Sequence, residues 1–219
     1  MIVELLLYTP EPLELIYKAA RTCYSPDGFL SIQVKNQEKM KDLINKIIKS
    51  GHHSVLEHIS FSFAVDGVSR ALTHQLVRHR LASFSQQSQR YVEYTEDKLD
   101  FIIPKTIKDK QAYKDKIKDI FSFYREMIDS GVPKEDARYI LPNATTSKLV
   151  MTMNYRELIH FCKLRLCFKA QWEIRTLTLK IRKGIATVSD FLGDYLKPKC
   201  QYIGFCDEEK PCGNYFVGS

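Results

Sequence analysis

The sequence predicts an α+β fold, several long helices with a few strands. Three observations carry this. Apolar residues recur at helical spacing over long segments, period-two alternation marks a few short ones, and the two kinds do not alternate in a βαβ rhythm. A length of 219 residues with 44% hydrophobic residues suits one domain able to bury a sizeable core.

Each element has its own warrant. Residues 2–8, Ile-Val-Glu-Leu-Leu-Leu-Tyr, read as a strand. Thr9-Pro10-Glu11-Pro12 breaks it and opens a helix running to about Tyr24, and Ser25-Pro26-Asp27-Gly28 is a turn. Residues 36–49 place Met40, Leu43, Ile44, Ile47 and Ile48 on one face of a helix that Ser50-Gly51 ends. From Ile59 to Val65, Ile, Phe, Phe and Val alternate with Ser, Ser and Ala, the pattern of a half-buried strand. Residues 67–80 read as a helix with Gln75, Arg78 and His79 on a shared face. Arg90 to Tyr94 is expected to return as a strand. Residues 105–130 predict a lysine-rich helix whose apolar face carries Tyr113, Ile117, Ile120, Phe121, Tyr124 and Ile128. Ser130-Gly131-Val132-Pro133 stops it, Lys134 to Ile140 restarts a short helix, and Lys148 to Met153 reads as a strand. Tyr155–Cys167 and Ala170–Leu196 are helical in pattern. Residues 1–197 are expected to form the domain, with a cysteine-containing tail over 198–219.

Charge and composition narrow the function. The formal charge of +7 and a pI near 9.0 suit anionic partners, without choosing between nucleic acid and small phosphorylated ligands. Met1-Ile2-Val3-Glu4 lacks the basic start of a secretory signal, and no apolar run approaches a membrane span. The six cysteines are read as reduced, and the protein as cytoplasmic without a membrane partner. No glycine-rich phosphate loop is present, so a flavin site here would not be of the dinucleotide-fold type.

The most informative stretch runs from Arg78 to Tyr91. It holds three arginines, a histidine, three serines and three glutamines, with no acidic residue and no lysine. Arginine forks grip phosphate at two points, while hydroxyls and amides complete the contacts of a polar-edged ligand such as a nucleotide. Arg78-His79-Arg80, seven residues, Ser88 and Arg90 also match the signature of the flavin-dependent thymidylate synthases. Upstream, Gly51-His52-His53-Ser54-Val55-Leu56-Glu57-His58 resembles that family's Gly-His-x-Ser/Thr-x-x-Glu-His element. Downstream, Ala170-Gln171-Trp172-Glu173-Ile174-Arg175 resembles its Ala-Gln-x-Glu-Ile-Arg element. The likeness covers roughly residues 1–195.

The resemblance implies the thymidylate synthase-complementing protein fold, with long helices around a small, mainly antiparallel sheet. It implies reductive methylation of dUMP to dTMP, with 5,10-methylenetetrahydrofolate as carbon donor and NADPH-reduced FAD as hydride source. A nucleophilic cysteine is not required, and none lies in Arg78–Arg90. By resemblance, His52, Ser54, Arg78, His79, Arg80, Gln86, Lys163, Arg165 and Lys169 bind the cofactor, with Glu57 and His58 holding the first loop. Gln75, Arg78, Gln86, Gln87, Ser88, Gln89, Arg90, Lys148 and Arg175 bind dUMP. Ser88 orients the nucleotide and Arg175 polarises the uracil ring. Without the motif, Arg175 would read as a helix-surface partner of Glu173. A homotetramer with shared active sites is likewise implied by the resemblance alone, and no nucleic acid partner is expected.

Several positions depart from the family pattern. Gln86 stands where many members have Glu, Lys163 where many have Asn, and Lys169 where His, Asn or Arg is usual. These raise the rival reading of a flavoprotein of the same fold that lacks methyl transfer. A second rival is a single-strand-binding module built on the basic, aromatic-interleaved segment. No metal site is expected. His52, His53 and His58 do not have the His-Glu-x-x-His spacing on a helix. Cys200, Cys206 and Cys212 recur with five residues between them, three thiols that suit zinc or a cluster by type but form no Cys-x-x-Cys pair.

Overall fold

The computed structural model describes residues 1–26, 28, 31, 32, 36–94 and 100–214. Asp27 of the expected turn lies outside them. The chain runs β1 (Ile2–Tyr8), α1 (Pro12–Thr22), α2 (Gln37–Lys49), a 3₁₀ segment (His53–His58), β2 (Ser60–Ser69), α3 (Arg70–Leu76) and β3 (Ala82–Gln86). It continues through α4 (Lys110–Asp129), α5 (Lys134–Ala137) with a 3₁₀ turn (Arg138–Ile140), β4 (Thr146–Asn154), α6 (Tyr155–Arg165), α7 (Trp172–Val188), α8 (Asp190–Tyr195) and α9 (Lys199–Ile203). The strands form one four-stranded antiparallel sheet in the order β1-β2-β4-β3. This is the α+β class expected. No helix among the described residues is long and apolar enough to cross a membrane.

The chain divides into two compact units. One comprises Met1–Ile2, Ala64–Arg78 and Phe84–Val150; the other comprises Val3–Phe63, His79–Ser83 and Met151–Ser219. In the first, α4 buries Ile117, Phe121 and Tyr124 against Tyr94 and Ala137. Asp109 opens α4 by accepting the Ala112 N–H at 2.9 Å. The helix therefore starts at Lys110, five residues later than its lysine-rich pattern suggests.

In the second unit, α1 packs on α2 and on the 3₁₀ segment, and α6 packs on α7. Phe61 lies between the rings of Tyr8 and Tyr155, at 6.3 and 6.2 Å. The buried Tyr155 hydroxyl donates to the Leu192 carbonyl at 2.6 Å, tying α6 to α8. The expected helix over Ala170–Leu196 is two helices, because Ser189 is extended and its Oγ caps α8. Gly193 permits the tight return: a Cβ there would stand 2.8 Å from Cβ of Ala186.

Two expectations around the central motif change. The helix expected over 67–80 is shorter, because β2 continues through Ser69 and α3 ends at Leu76. Gly67 takes φ +66° within the strand, a conformation that favours glycine, and Val68 and Ser69 remain in the strand and buried. Ser69 Oγ then accepts the Leu72 N–H at 3.0 Å and starts the helix. Arg78 and His79 therefore lie beyond α3 and do not share a helix face with Gln75.

The strand expected at Arg90–Tyr94 is instead a turn leading to irregular backbone, and the third strand in sequence is Ala82–Gln86. Residues 90–94 are committed to α4 and α5. Glu93 pairs with Arg125 and, at 3.0 Å, with Lys134, while Tyr94 is buried against Phe121 and Tyr124. Those side-chain anchors leave the segment no strand partner.

Candidate active site

In the first unit, Gln75 lies in the last turn of α3 and Arg78 is exposed just past its end. Gln86 closes β3. Its Nε2 donates to Thr73 Oγ1 and to Ser147 Oγ, both at 3.1 Å, joining β3 to α3 and β4. A carboxylate at this position would accept from the same hydroxyls, which explains how Gln is tolerated here. The Gln87 N–H donates to the Lys148 carbonyl at 2.9 Å, so the exposed Lys148 lies beside the start of the next turn. In that turn Ser88 Oγ accepts the Arg90 N–H at 3.1 Å, and the Ser88 carbonyl accepts the Val92 N–H at 3.0 Å. The Ser88 hydroxyl hydrogen is not used by this bond. Gln89 Nε2 is buried without a protein acceptor among the described residues, an amide donor left over for a ligand. The Arg90 guanidinium pairs with Glu135 at 2.6 Å, both side chains about half exposed.

The second unit holds a polar chain that the sequence did not reveal. His79 is only 5% exposed. Its Nδ1 lies 3.1 Å from Glu157 Oε1, and Arg165 Nε donates to its Nε2 at 3.1 Å. Arginine can only donate, so Nε2 accepts and the ring proton sits on Nδ1, facing the carboxylate. Burial, then the Arg165 and His160 charges, lower the His79 pKa from 6.5 to about 4. Burial raises the Glu157 carboxyl against the pull of His160. A neutral His79 thus connects buried Glu157 to Arg165 and fixes its guanidinium. His79, Glu157 and His160 also offer three ligand atoms within 4.8 Å of one another. Both His79 nitrogens are already engaged and a guanidinium adjoins them, so the group suits hydrogen bonding better than a cation.

Around this chain the remaining candidates are placed singly. Arg80, His52 and Ser54 are exposed, the last on the 3₁₀ segment. Glu57 of the same segment pairs with Arg156 of α6, consistent with a loop-holding part. Lys163 carries its ammonium 4.3 Å from the Tyr202 ring centroid, and burial lowers its pKa. Lys169 is exposed. Gln171 Oε1 caps α7 by accepting from the Glu173 and Ile174 N–H groups at 3.0 and 3.1 Å. One turn in, the Arg175 guanidinium stacks on Phe168 at 4.4 Å from the ring centroid. The fully buried Cys162 has its thiol pushed well up by burial, so it is no nucleophile.

The sequence model of the Thymidylate synthase complementing protein family matches residues 4–189. The chain belongs to this family. It is 45% identical over 194 residues to the flavin-dependent thymidylate synthase of Geobacter sulfurreducens, covering 85% of this chain and 84% of that protein. Its fold matches that of the flavin-dependent thymidylate synthase ThyX of Helicobacter pylori complexed with FAD and dUMP. That match has a TM-score of 0.74, 26% identity, and coverage of 90% and 100% of the two chains. It also matches the UMP/dUMP methylase PolB of Streptomyces cacaoi bound with 5-Br dUMP, with a TM-score of 0.79, 25% identity and coverage of 89% and 93%.

As a family member, this chain has a donor set that fits a phosphate-bearing flavin. The ion pairs of the described residues engage Arg90 and Arg156 but not Arg78 or Arg80. Exposed guanidiniums with no carboxylate partner favour a pyrophosphate. Sequence reasoning missed Glu157 and Phe168. Glu157 reads locally as a helix-start residue, because Asn154 Oδ1 accepts its N–H at 2.9 Å. Its partner His79 is 78 residues away, and no short-range pattern signals that pairing.

Proposed function

We propose that this protein converts dUMP to dTMP, taking the carbon from 5,10-methylenetetrahydrofolate and electrons from NADPH through FAD. The observation that carries the reading is the family match over residues 4–189, with all three motifs intact within it. When bound, reduced FAD supplies the hydride, so the protein's task is to bind, orient and polarise.

Arg78, Arg80, His52 and Ser54 are assigned to the flavin, with Arg165 oriented by His79 and Glu157. Lys163 and Lys169 add positive charge in the same unit. Arg90 and Lys148 are assigned to the nucleotide phosphate. Gln75, Gln87 and the Gln89 amide complete the dUMP contacts, Ser88 orients the base with its unused hydroxyl hydrogen, and Gln86 holds β3 in place. Arg175 stabilises negative charge developing on the uracil ring, as a fixed cation does best when its position is set before reaction. Its stacking on Phe168 supplies that fixity.

The exposed Arg90–Glu135 pair competes with the nucleotide for the guanidinium. Arg90→Ala is expected to raise the dUMP Kd by roughly 10- to 100-fold, the worth of a charged hydrogen bond. Glu135→Gln is expected to lower it by no more than about fivefold, since an exposed pair is weak. Calorimetric titration of both variants checks this, and an unchanged Kd in Arg90→Ala would contradict the assignment.

A homotetramer is part of the same proposal. The edge strand β1 exposes Ile2, Leu6 and Leu7, apolar surface suited to a subunit contact. Light scattering that returned a monomer would rule it out. For the flavin, the test is the visible spectrum after adding FAD, removing the excess and titrating dUMP. Retained bands that shift with dUMP are expected. A protein that retains no flavin would overturn the enzyme reading and favour single-strand binding.

A further inference from the structure

A cavity of about 300 Å³ lies in the second unit, beside the loop that follows α6. Four of the six cysteines line it: Cys167 from that loop, and Cys200, Cys206 and Cys212 from the tail. The other two are elsewhere, Cys23 exposed and Cys162 in the core. In sequence the tail offers only three thiols. The fold supplies the fourth from 33 residues upstream of Cys200. Tail geometry serves this gathering. Gly204 ends α9 at φ +80° and reverses the chain between Cys200 and Cys206, and Gly213 at φ +73° turns it again after Cys212. Lys199 pairs with Asp207 across the first reversal.

We propose that Cys167, Cys200, Cys206 and Cys212 form a structural Zn²⁺ site that staples the tail to the loop preceding α7. Four thiolates are the donor set of closed, tetrahedral zinc sites. Two of the sulfurs already accept backbone N–H groups from two residues onward, Cys167 from Lys169 at 3.5 Å and Cys212 from Asn214 at 3.4 Å. Such donors stabilise thiolate and orient it, the outer-shell support that metal ligands need. Thiolates clustered this way repel one another, and a divalent cation removes that cost.

Among the described residues, the group of three ligand atoms within 4.8 Å of one another is His79, Glu157 and His160, so no three of the cavity's sulfurs are gathered that closely. With Zn–S bonds of about 2.3 Å, sulfurs on a tetrahedron stand about 3.8 Å apart. Zinc binding would therefore have to draw the four side chains inward by rotation about their Cα–Cβ bonds, with residues 204–214 outside any helix or strand. Lys163 and Lys199 line the same cavity and offset the negative charge of a four-thiolate zinc.

The consequence reaches the active site through Phe168, which also lines the cavity and lies under Arg175. Zinc at Cys167 would hold the adjacent Phe168, and with it the guanidinium.

The test is elemental analysis of the purified full-length protein, produced with zinc supplied and dialysed against a weak chelator. About one zinc per chain is expected. Cys167→Ser and Cys212→Ser should each lower it at least about tenfold, while Cys23→Ser leaves it unchanged. Cys212→Ser lies in the tail, so it answers the question if Cys167→Ser fails to fold. Cobalt in place of zinc should give the intense visible bands of a tetrahedral thiolate site. Absence of metal, iron with acid-labile sulfide, disulfides among these cysteines, or zinc retained in both serine variants would each overturn the proposal.

Discussion

Arg175→Ala is expected to lower dTMP formation by roughly 10²- to 10³-fold, the usual cost of removing a fixed charge that stabilises a transition state. Flavin retention should stay within about threefold of the parent, because the residue is assigned to the uracil ring. The guanidinium is held by two features: capping of α7 by Gln171, and stacking on Phe168 at 4.4 Å. Arg175→Lys is expected to recover part of the activity, since it keeps the charge but loses the planar fork. Parallel measurement of turnover and flavin content checks this. Turnover at the parent rate in Arg175→Ala would remove the role assigned to it, and loss of flavin in that variant would make its role structural.

Acid destabilisation through His79 is the second large effect. An unfolded histidine titrates near 6.5, and folded His79 near 4. Between those values the unfolded chain holds a proton that the folded chain lacks. His79 thus contributes its full stability above 6.5 and loses it as the pH falls towards 4. At about 1.4 kcal/mol per unit, the ceiling is about 3 kcal/mol. Glu157 works in the opposite sense. Its folded carboxyl is raised, so above its unfolded value it retains a proton that the unfolded chain has released, and part of the loss is offset. His79→Gln keeps an acceptor for Arg165 and a donor for Glu157 but binds no proton. Denaturant titrations near pH 7 and near pH 4.5 are expected to show a larger acid loss in the parent than in His79→Gln. Equal losses in both would mean that His79 is not the buried neutral base described.

Much of this was legible in the sequence, and the misses share a cause. The helices α1, α2 and α4 follow from apolar periodicity and from nearby breakers such as Pro12, Gly51 and Gly131. Phe61, Phe63 and Val65 alternate as a strand buried on one face must. Local patterns failed where long-range contacts decide. Residues 90–94 look like a strand, but Arg125 and Lys134 claim Glu93, and Phe121 and Tyr124 claim Tyr94. Ala82–Gln86 does alternate, with Ser83 and Ser85 exposed. Its small polar residues hide a strand inside a ligand-binding motif.

The candidate site divides in the same way. The resemblance named the arginines, the serine and the glutamines because their order along the chain carries the signal. It did not reveal what holds them. The bond from His79 to Glu157 spans 78 residues and the one from Arg165 to His79 spans 86. Cys167 was indistinguishable from a buried structural thiol until the tail cysteines lined the same cavity. Of the three departures that raised the rival of a flavoprotein without methyl transfer, Gln86 and Lys163 each have a local partner, hydroxyls of Thr73 and Ser147 for Gln86 and the Tyr202 ring for Lys163, while Lys169 is exposed. Both are accommodated by the fold, which weakens that rival.

The most direct test of the central claim is product analysis of a reaction containing dUMP, 5,10-methylenetetrahydrofolate and NADPH, run with and without FAD. Formation of dTMP is expected only when FAD is present. NADPH oxidation without dTMP, or dTMP formed at the same rate in flavin-free protein, would contradict it.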